Sequence, residues 1–208
     1  MKLYYSAGSC SMSCHITLEE SGLKYEAIGI DFDNANDPNL ALVEKMNALG
    51  TLPILITDDG KQLDQNLAIH TYVADKAAGK NLLPAQGSFE RAQAMNYLTF
   101  VATDLHKGVG ALFGLAAYAS EPKAQELVKK NQLAKANEYL KYLDTQLAGK
   151  DYLMGSTFTV ADAYAFTVTG WTKWLEIPLT PYKNVEAYMG RVASRPAVAK
   201  VLKEEGLV

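Results

Sequence analysis

The first thirty residues alternate between strand, helix and strand patterns, and this order limits the folds that the chain can adopt. Residues 2–6 are rich in tyrosine, as β-strands often are, and from Ser11 the apolar residues follow helical spacing. Gly22 is placed to end that helix, and residues 25–31 show a second strand pattern. Two strands joined by a helix pair in parallel. The chain is therefore predicted to begin with a β-α-β unit.

The strand and helix patterns continue to residue 78. A short helix is predicted over Leu40–Met46 and a buried strand over Leu52–Thr57. The turn sequence Asp58-Asp59-Gly60 leads into a second strand at Lys61–Leu63. A helix is predicted to start near Asn66, with that residue as its N-cap. The order β-α-β-α-β-β-α is that of a thioredoxin-like domain.

Beyond this point the sequence shows helical patterns and no convincing strand. Residues 81–87 are rich in Gly, Pro and polar residues and are predicted to link a thioredoxin-like domain at 1–80 to an all-helical domain at 88–208. The predicted fold class is thus an α/β domain followed by a helical bundle.

Several helices of the second domain can be assigned from spacing and capping. Residues 89–118 are predicted as one long helical segment, bent at Gly108 and Gly110. Thr159 and Asp162 form a capping box, and Arg195-Pro196 is placed to close a later helix. One helix within 123–148 has an apolar face formed by Leu133, Ala136, Leu140, Leu143 and Leu147.

Composition excludes several classes of protein. The chain has 20 basic and 23 acidic residues, a formal net charge of −3, which argues against a nucleic-acid binder. No apolar run approaches the ~20 residues that span a bilayer, and the first residues lack the apolar core of a secretion signal. We therefore expect a cytoplasmic protein with neither nucleic-acid nor membrane partners.

Cys10 is a candidate reactive residue because it directly precedes the first predicted helix. The unpaired N–H groups and the dipole at a helix start favour a thiolate. A dipole contribution of roughly 0.3–1 kcal/mol, up to about 2 in sheltered sites, would lower a thiol pKa from about 8.5 to about 7–8. Burial as an inert core residue is the alternative, and it is the preferred interpretation of Cys14.

Two other roles for the cysteines are considered. The Cys10–Cys14 spacing is C-x-x-x-C, which differs from the C-x-x-C redox motif. A zinc site formed with His15 would lack a clear fourth ligand, so no metal is expected.

Leu52-Pro53 and Gln65-Asn66 are candidate ligand-binding positions. A proline that opens a buried strand of a thioredoxin-like fold is usually cis, and it leaves the Leu52 backbone free to pair with an extended peptide. The helix start at Gln65-Asn66 could bind a carboxylate, although plain capping by Asn66 is the alternative. These features suit a short peptide with a thiol and a carboxylate.

The three histidines of the chain, taken alone, are predicted to have structural roles. They are His15, His70 and His106.

Motifs along the whole chain resemble those of bacterial beta-class glutathione S-transferases. Cys10 and His106-Lys107-Gly108 are specific to that class, whereas Leu52-Pro53 and the capping box are general to the superfamily. The other matching segments are Met1–Ser6 with Gly8, His15-Ile16, Asp58-Asp59-Gly60, Ala68-Ile69, Phe158–Tyr164, Arg195-Pro196 and Glu205-Gly206-Leu207.

The resemblance implies a homodimeric enzyme that uses glutathione as co-substrate and conjugates it to small hydrophobic electrophiles in detoxification. By position, Cys10 and His106 would flank the glutathione sulfur, with Ser11 at the first helix turn as a further catalytic residue. Asp104 could face the active site of the partner subunit in the dimer. The residues expected to bind glutathione are Leu52, Pro53, Gln65, Asn66, Asp104 and Lys107.

This chain differs from the family pattern on the peptide-binding side. The family has an acidic residue at 65 and Ser or Gly at 66, and it usually has Gln at 51 and Asn at 99, where this chain has Gln65, Asn66, Thr51 and Thr99. A charge-assisted bond exceeds a neutral one by about 1 kcal/mol, so the change at 65 should weaken glutathione binding roughly five-fold.

The expected mechanism is attack by a glutathione thiolate on an electrophile, with His106 bonded to the sulfur or to a neighbouring water. The electrophile is expected in an apolar cleft walled by Phe113, Tyr118 or Trp171. Two alternatives remain at this point. One is thiol–disulfide exchange through a mixed disulfide at Cys10, and the other is a non-catalytic binding protein with an eroded glutathione site.

Overall fold

The computed structural model describes all residues, 1–208, and its N-terminal part contains one four-stranded sheet. The strands are β1 (Lys2–Tyr5), β2 (Glu26–Gly29), β3 (Ile54–Ile56) and β4 (Gln62–Leu63), in the order β2-β1-β3-β4. β1 is parallel to β2 and antiparallel to β3, and β3 is antiparallel to β4. The predicted β-α-β unit is confirmed, and the sheet as a whole is mixed.

Three helices cover this sheet: α1 (Ser11–Ser21), α2 (Leu40–Met46) and α3 (Asn66–Lys76). Alternate residues of the strands point to opposite faces. One face packs on α1 and α3 through the buried cluster Leu3, Cys14, Leu18, Leu55, Ile69 and Val73. The other face packs on α2 through Tyr4, Ile30, Val43 and Ile54. Cys14 is fully buried, in agreement with its prediction as a core residue.

The C-terminal part is helical and contains the largest core of the protein. Its helices are α4 (Phe89–Phe100), α5 (His106–Gly110), α6 (Pro122–Leu147), α7 (Val160–Gly170), α8 (Lys183–Ala193) and α9 (Pro196–Glu204). The predicted inner face of α6 is buried at Ala136, Leu140, Leu143 and Leu147. At the start of α7, Asp162 accepts the Thr159 N–H at 2.8 Å, which confirms the capping box. No helix in the chain combines the length and the apolar surface that a membrane span requires.

The structure adds detail to two helix predictions. Within the predicted helical segment 89–118, the winding changes first in a wider π-helical turn over Val101–Leu105 and again after Gly110, where α5 is followed by a 3₁₀ turn over Ala111–Phe113. π turns inside helices are often found at functional sites, and this one directly precedes His106. The predicted end of a helix before Arg195-Pro196 is confirmed, since α8 ends at Ala193, and Pro196 also begins α9. Proline suits the first helical position because its missing N–H has no helical partner there.

The two parts of the chain are packed together across α1. Besides α3, α1 contacts both α7 and α9. Arg195 reinforces this contact with two hydrogen bonds to Glu20, of 2.6 and 2.9 Å. Its guanidinium also lies 4.1 Å from the ring centre of Phe158. The start of α1, where Cys10 is located, therefore lies beside the helical part.

Candidate active site

The loop between β1 and α1 is held by residues of the helical part. Gly8 in this loop adopts a positive φ of 69°, which favours glycine. A side chain there would also collide with the ring of Trp174. The Gly8 N–H donates to Glu205 Oε2 at 2.8 Å, and its carbonyl accepts from the Trp171 indole at 2.9 Å. Both main-chain groups of Gly8 are thus fixed from across the domain contact.

The loop also satisfies most donors at the start of α1. The Ser11 N–H donates to Ser9 Oγ at 3.2 Å, and the Met12 N–H donates to the Ser9 carbonyl at 3.1 Å. The buried Ser11 hydroxyl bonds to Ser9 Oγ, to the Ser6 N–H and to the Ser6 carbonyl. The expectation of several free N–H groups at this helix start is therefore wrong, because the loop itself supplies their acceptors.

Cys10 lies at the N-cap of α1, largely buried against the strand connection that contains Leu52. Its Sγ donates to the Leu52 carbonyl at 3.6 Å. Burial raises the pKa of the Cys10 thiol to about 11, although its own N–H, the Lys107 charge and Asn66 act in the opposite direction. The prediction of a lowered Cys10 pKa is wrong, because desolvation outweighs the effect of the helix start.

Leu52 presents an unpaired backbone N–H beside this thiol. The Leu52–Pro53 bond is cis, as expected. Leu52 lies outside the strands, and its N–H has no acceptor within the chain. Pairing of Leu52 with an extended peptide stays a prediction, for which this N–H is the free donor.

The α3 helix start differs from its prediction. The N-cap is Gln65, and its side chain does not cap the helix. Asn66 is the first helical residue and is buried. Its side-chain amide donates to the Cys10 carbonyl at 3.0 Å and to Ser13 Oγ at 3.1 Å. The expectation that Asn66 caps α3 is wrong, since its side chain instead ties α3 to α1. The exposed Gln65 leaves the first turn of α3 open to a ligand.

His106 is held in place by two aromatic residues. Its Nδ1 lies 2.6 Å from the Tyr164 hydroxyl, and its ring meets Trp171 edge to face at 4.9 Å between ring centres. Burial, and then the charge of Lys107, lowers the pKa of His106 to about 4. The imidazole is therefore neutral near pH 7. Its Nε2 has no partner in the chain, and His106 is only partly buried.

The predicted site residues divide into two groups. Cys10, Leu52 and Asn66 are joined by direct contacts, and Lys107 lies close enough for its charge to affect both Cys10 and His106. Within one chain, Asp104 is not part of this group. It lies on a surface between α4 and α6, in a cavity of about 370 Å³ shared with Thr99, Phe100, Thr103, Tyr139 and Tyr142.

The other two histidines are buried and hydrogen-bonded to side chains within the protein. His70 is fully buried between Thr17 and Ser13, and burial lowers its pKa to about 3. His15 is fully buried, with Nδ1 2.9 Å from Glu205 Oε1. No group of three or more His, Cys, Asp or Glu side chains is arranged to hold a metal ion.

Two residues important to this arrangement were not predicted from the sequence. Tyr164 contacts His106, and Glu205 contacts the Gly8 loop. Both belong to segments that carried the family resemblance, which was the only available signal. Their contacts join residues far apart in sequence, so local patterns could not have revealed them.

Comparison with known proteins identifies the family. Models of the glutathione S-transferase N-terminal and C-terminal domains match residues 1–75 and 106–196. Glutathione S-transferase GstA of Escherichia coli O157:H7 is 35% identical over 207 residues, with 100% of each chain covered.

Two solved structures agree with this assignment over the full chain. A sphingomonad glutathione S-transferase complexed with glutathione has a TM-score of 0.89 at 36% identity, with 100% of each chain covered. The bacterial beta-class enzyme of Sphingomonas chungbukensis has a TM-score of 0.88 at 35% identity, again with 100% coverage of each. The chain therefore belongs to the glutathione S-transferase family, as its motifs indicated.

Proposed function

We propose that this glutathione S-transferase positions the glutathione sulfur beside Cys10 and His106 and transfers it to small hydrophobic electrophiles. The observation that carries this proposal is the contact of the Cys10 thiol with the Leu52 carbonyl at 3.6 Å. It places a thiol beside Leu52, whose N–H is unpaired, and this suits a peptide that contains cysteine. The relatives are transferases, which favours an enzyme over a binding protein with an eroded site.

The peptide is held by main-chain groups and by one helix start. The Leu52 N–H and C=O pair with the cysteinyl residue of glutathione, in the manner of an added strand. The γ-glutamyl carboxylate binds at the first turn of α3, where the helix dipole favours negative charge. Gln65 contacts the same end of the ligand through neutral hydrogen bonds. Lys107 adds a positive charge beside the sulfur.

Cys10 acts as a neutral hydrogen-bond donor, since burial keeps its pKa near 11. Its S–H turns from the Leu52 carbonyl to the glutathione sulfur. If the Tyr164 hydroxyl donates to His106 Nδ1, the ring proton resides on Nε2, which then donates to the same sulfur. Two donors and the Lys107 charge favour the thiolate form of glutathione. We propose that Ser11 stabilises the loop through its bonds to Ser6 and Ser9.

In the reaction, the glutathione thiol loses its proton to water, and the thiolate attacks an electrophilic carbon. With an aryl chloride, a C–S bond forms and chloride leaves with the electron pair of the C–Cl bond. The electrophile lies against Phe113 and Trp171, whose rings meet edge to face at 5.9 Å beside His106. Phe113 is 54% exposed and can cover an apolar molecule. Tyr118, which is 59% exposed, is the third side chain proposed for this wall.

We propose that two copies of the chain form a homodimer through the surface between α4 and α6. The rings of Phe100 and Tyr142 are in contact there, tilted at 58° with 4.6 Å between their centres, and Tyr142 remains 39% exposed. Asp104 lies in the same surface and would reach the glutathione of the partner. Sedimentation should give twice the mass of one chain, and Tyr142→Glu should yield monomers.

The cytoplasm is the proposed location of the enzyme, with detoxification as its role. Cys10 and Cys14 are both free thiols, which suits a reducing compartment. Conjugation to glutathione removes reactive electrophiles before they modify other cellular thiols.

Initial rates with 1-chloro-2,4-dinitrobenzene test the proposed role of Cys10. Cys10→Ala should lower kcat/KM about tenfold or more, because a hydrogen bond to the charged thiolate contributes about 1.5–3 kcal/mol. Cys10→Ser retains a donor and should keep most of the activity, and the buried Cys14→Ala is the matched control. Loss of all activity in Cys10→Ser would instead support a covalent role.

The raised Cys10 pKa disfavours thiol–disulfide exchange, because the thiolate is the attacking species.

A further inference from the structure

Tyr164 bonds to His106 at the ring nitrogen that is remote from the proposed sulfur position. It lies in α7, is only 3% exposed, and belongs to the largest core of the protein. Its hydroxyl is 2.6 Å from His106 Nδ1, and the two rings meet edge to face with 5.8 Å between their centres. Within the chain, Nδ1 is the only acceptor that this hydroxyl reaches.

The surroundings of the Tyr164 hydroxyl decide the direction of this hydrogen bond. If Nδ1 carried the ring proton, Nδ1 would be the donor, and the buried Tyr164 O–H would be left without an acceptor. The penalty for a buried donor without a partner disfavours that arrangement about fivefold or more. When the hydroxyl donates to Nδ1, both groups are satisfied. Nδ1 is then unprotonated, and the proton of the neutral ring is on Nε2.

Both partners are neutral near pH 7, so the position of the ring proton is the only choice left open. Burial, followed by the charge of Cys10, raises the pKa of Tyr164 above its ordinary value. Burial, followed by the charge of Lys107, lowers the pKa of His106 to about 4. His70 packs against the Tyr164 ring with 5.6 Å between ring centres, and it is neutral too, because burial lowers its pKa to about 3.

The other edge of the His106 ring is closely packed, which holds its orientation. A Cβ added at Gly110 would lie 3.3 Å from His106 Cδ2 and 3.3 Å from the Trp171 ring. Trp171 itself meets His106 edge to face. The ring is thus held with Nδ1 towards Tyr164, while Nε2 has no partner in the chain.

We propose that Tyr164 is a positioning residue that fixes His106 in its Nε2–H tautomer and so directs an N–H donor at the glutathione sulfur. This inference rests on the proposed function, in which Nε2 contacts that sulfur. In the other tautomer, Nε2 would present a lone pair to a negatively charged sulfur and repel it. Tyr164 acts only through His106 and does not itself contact glutathione.

Nitrogen-15 NMR of the unliganded protein near pH 7 tests the tautomer without glutathione. The His106 signals are identified by their absence from the spectrum of His106→Gln. We expect the chemical shift of a protonated nitrogen at Nε2 and that of an unprotonated, hydrogen-bonded nitrogen at Nδ1. In Tyr164→Phe both tautomers become populated, and the two shifts should move towards each other. A protonated Nδ1 in the unaltered protein would overturn the proposal, as would identical His106 shifts in Tyr164→Phe.

Kinetics with glutathione and 1-chloro-2,4-dinitrobenzene test whether the tautomer affects the reaction. Tyr164→Phe should lower kcat about threefold, because only part of the His106 population then presents a donor, and it should leave the KM for glutathione within about twofold. His106→Ala should lower kcat about tenfold. Adding Tyr164→Phe to His106→Ala should cause no further loss, since Tyr164 acts through His106.

Tyr97→Phe is the matched control. It removes another buried hydroxyl of the same core, one that donates to Gln146 at 3.0 Å, and it should leave kcat unchanged. A loss in Tyr164→Phe that multiplies with the loss in His106→Ala would show that Tyr164 acts independently of His106 and would overturn the inference. An unchanged kcat in His106→Ala would instead contradict the proposed function, while the NMR spectra would still decide the tautomer. Urea unfolding checks that each variant is folded.

Discussion

Gly8 and Glu205 are joined by a hydrogen bond of 2.8 Å, although 197 positions separate them in the sequence. The other oxygen of the same buried carboxylate lies 2.9 Å from His15 Nδ1 in α1. One side chain near the C-terminus therefore bonds both to the loop before Cys10 and to the helix after it. The geometry around the thiol depends on this carboxylate.

Replacing Glu205 by alanine should destabilise the protein by at least about 2 kcal/mol. The Gly8 N–H and His15 would both lose their acceptor, and a buried donor without a partner costs about 1–3 kcal/mol. Urea unfolding measures the loss. Glu204→Ala is the matched control, because the neighbouring Glu204 side chain is 42% exposed and lies 3.3 Å from His15 Nε2. That variant should lose less than about 1 kcal/mol, and equal losses in the two variants would contradict the assigned role of Glu205.

Cys10 should react slowly with iodoacetamide at neutral pH. Burial raises its pKa to about 11, so the thiolate fraction near pH 7.5 should be roughly a hundredfold or more below that of free cysteine. The alkylation rate should rise about tenfold per pH unit and level off only near the Cys10 pKa. Mass spectrometry of the modified peptide measures the rate, and Cys10→Ala reports any reaction at Cys14. A rate that levels off below pH 8 would show that the thiol is acidic.

The sequence predicted the sheet and most helices because their signals are local. Each of these signals lies within a few residues of the element that it ends, joins or begins, and the structure contains all three. They are Gly22 at the end of α1, the Asp58-Asp59-Gly60 turn between β3 and β4, and the Thr159–Asp162 capping box at the start of α7. The π turn before His106 was missed, because it depends on how α4 and α5 pack on α6 and α7.

The chemistry of the site was less predictable than its location. The position of Cys10 before α1 follows from the sequence, whereas its pKa depends on burial against Leu52 and the helical part. The direction of the Asn66 side chain likewise depends on where α1 crosses α3. Both depend on tertiary packing, which the conformational preferences of single residues cannot predict.

His106 should make folding stability depend on pH in acid. Burial lowers its pKa to about 4 in the folded chain, against about 6.5 when unfolded, so the unfolded chain binds more protons between these values. The stability that this neutral histidine contributes is complete above pH 6.5 and is lost as pH falls towards 4. His106→Gln removes this dependence.

Unfolding free energies from pH 7 to pH 4 measure the His106 effect. The unaltered protein should lose on the order of 2–3 kcal/mol more than His106→Gln over this range. Other titrating groups, such as the buried Asp162 whose pKa burial raises to about 6, are present in both proteins and cancel in the difference. Parallel curves for the two proteins would rule out a buried neutral His106.

Gln65→Glu should strengthen glutathione binding about five-fold. Gln65 is exposed at the N-cap of α3, and its side chain makes no capping bond, so the substitution should cost little stability. A carboxylate at this position can pair with the γ-glutamyl ammonium, and a charge-assisted bond exceeds a neutral one by about 1 kcal/mol. Calorimetric titration with glutathione measures the affinity. Gln93→Glu adds the same charge at an exposed position on α4 and should leave the affinity unchanged. An equal affinity in Gln65→Glu and the unaltered protein would place the γ-glutamyl end of the ligand away from the start of α3.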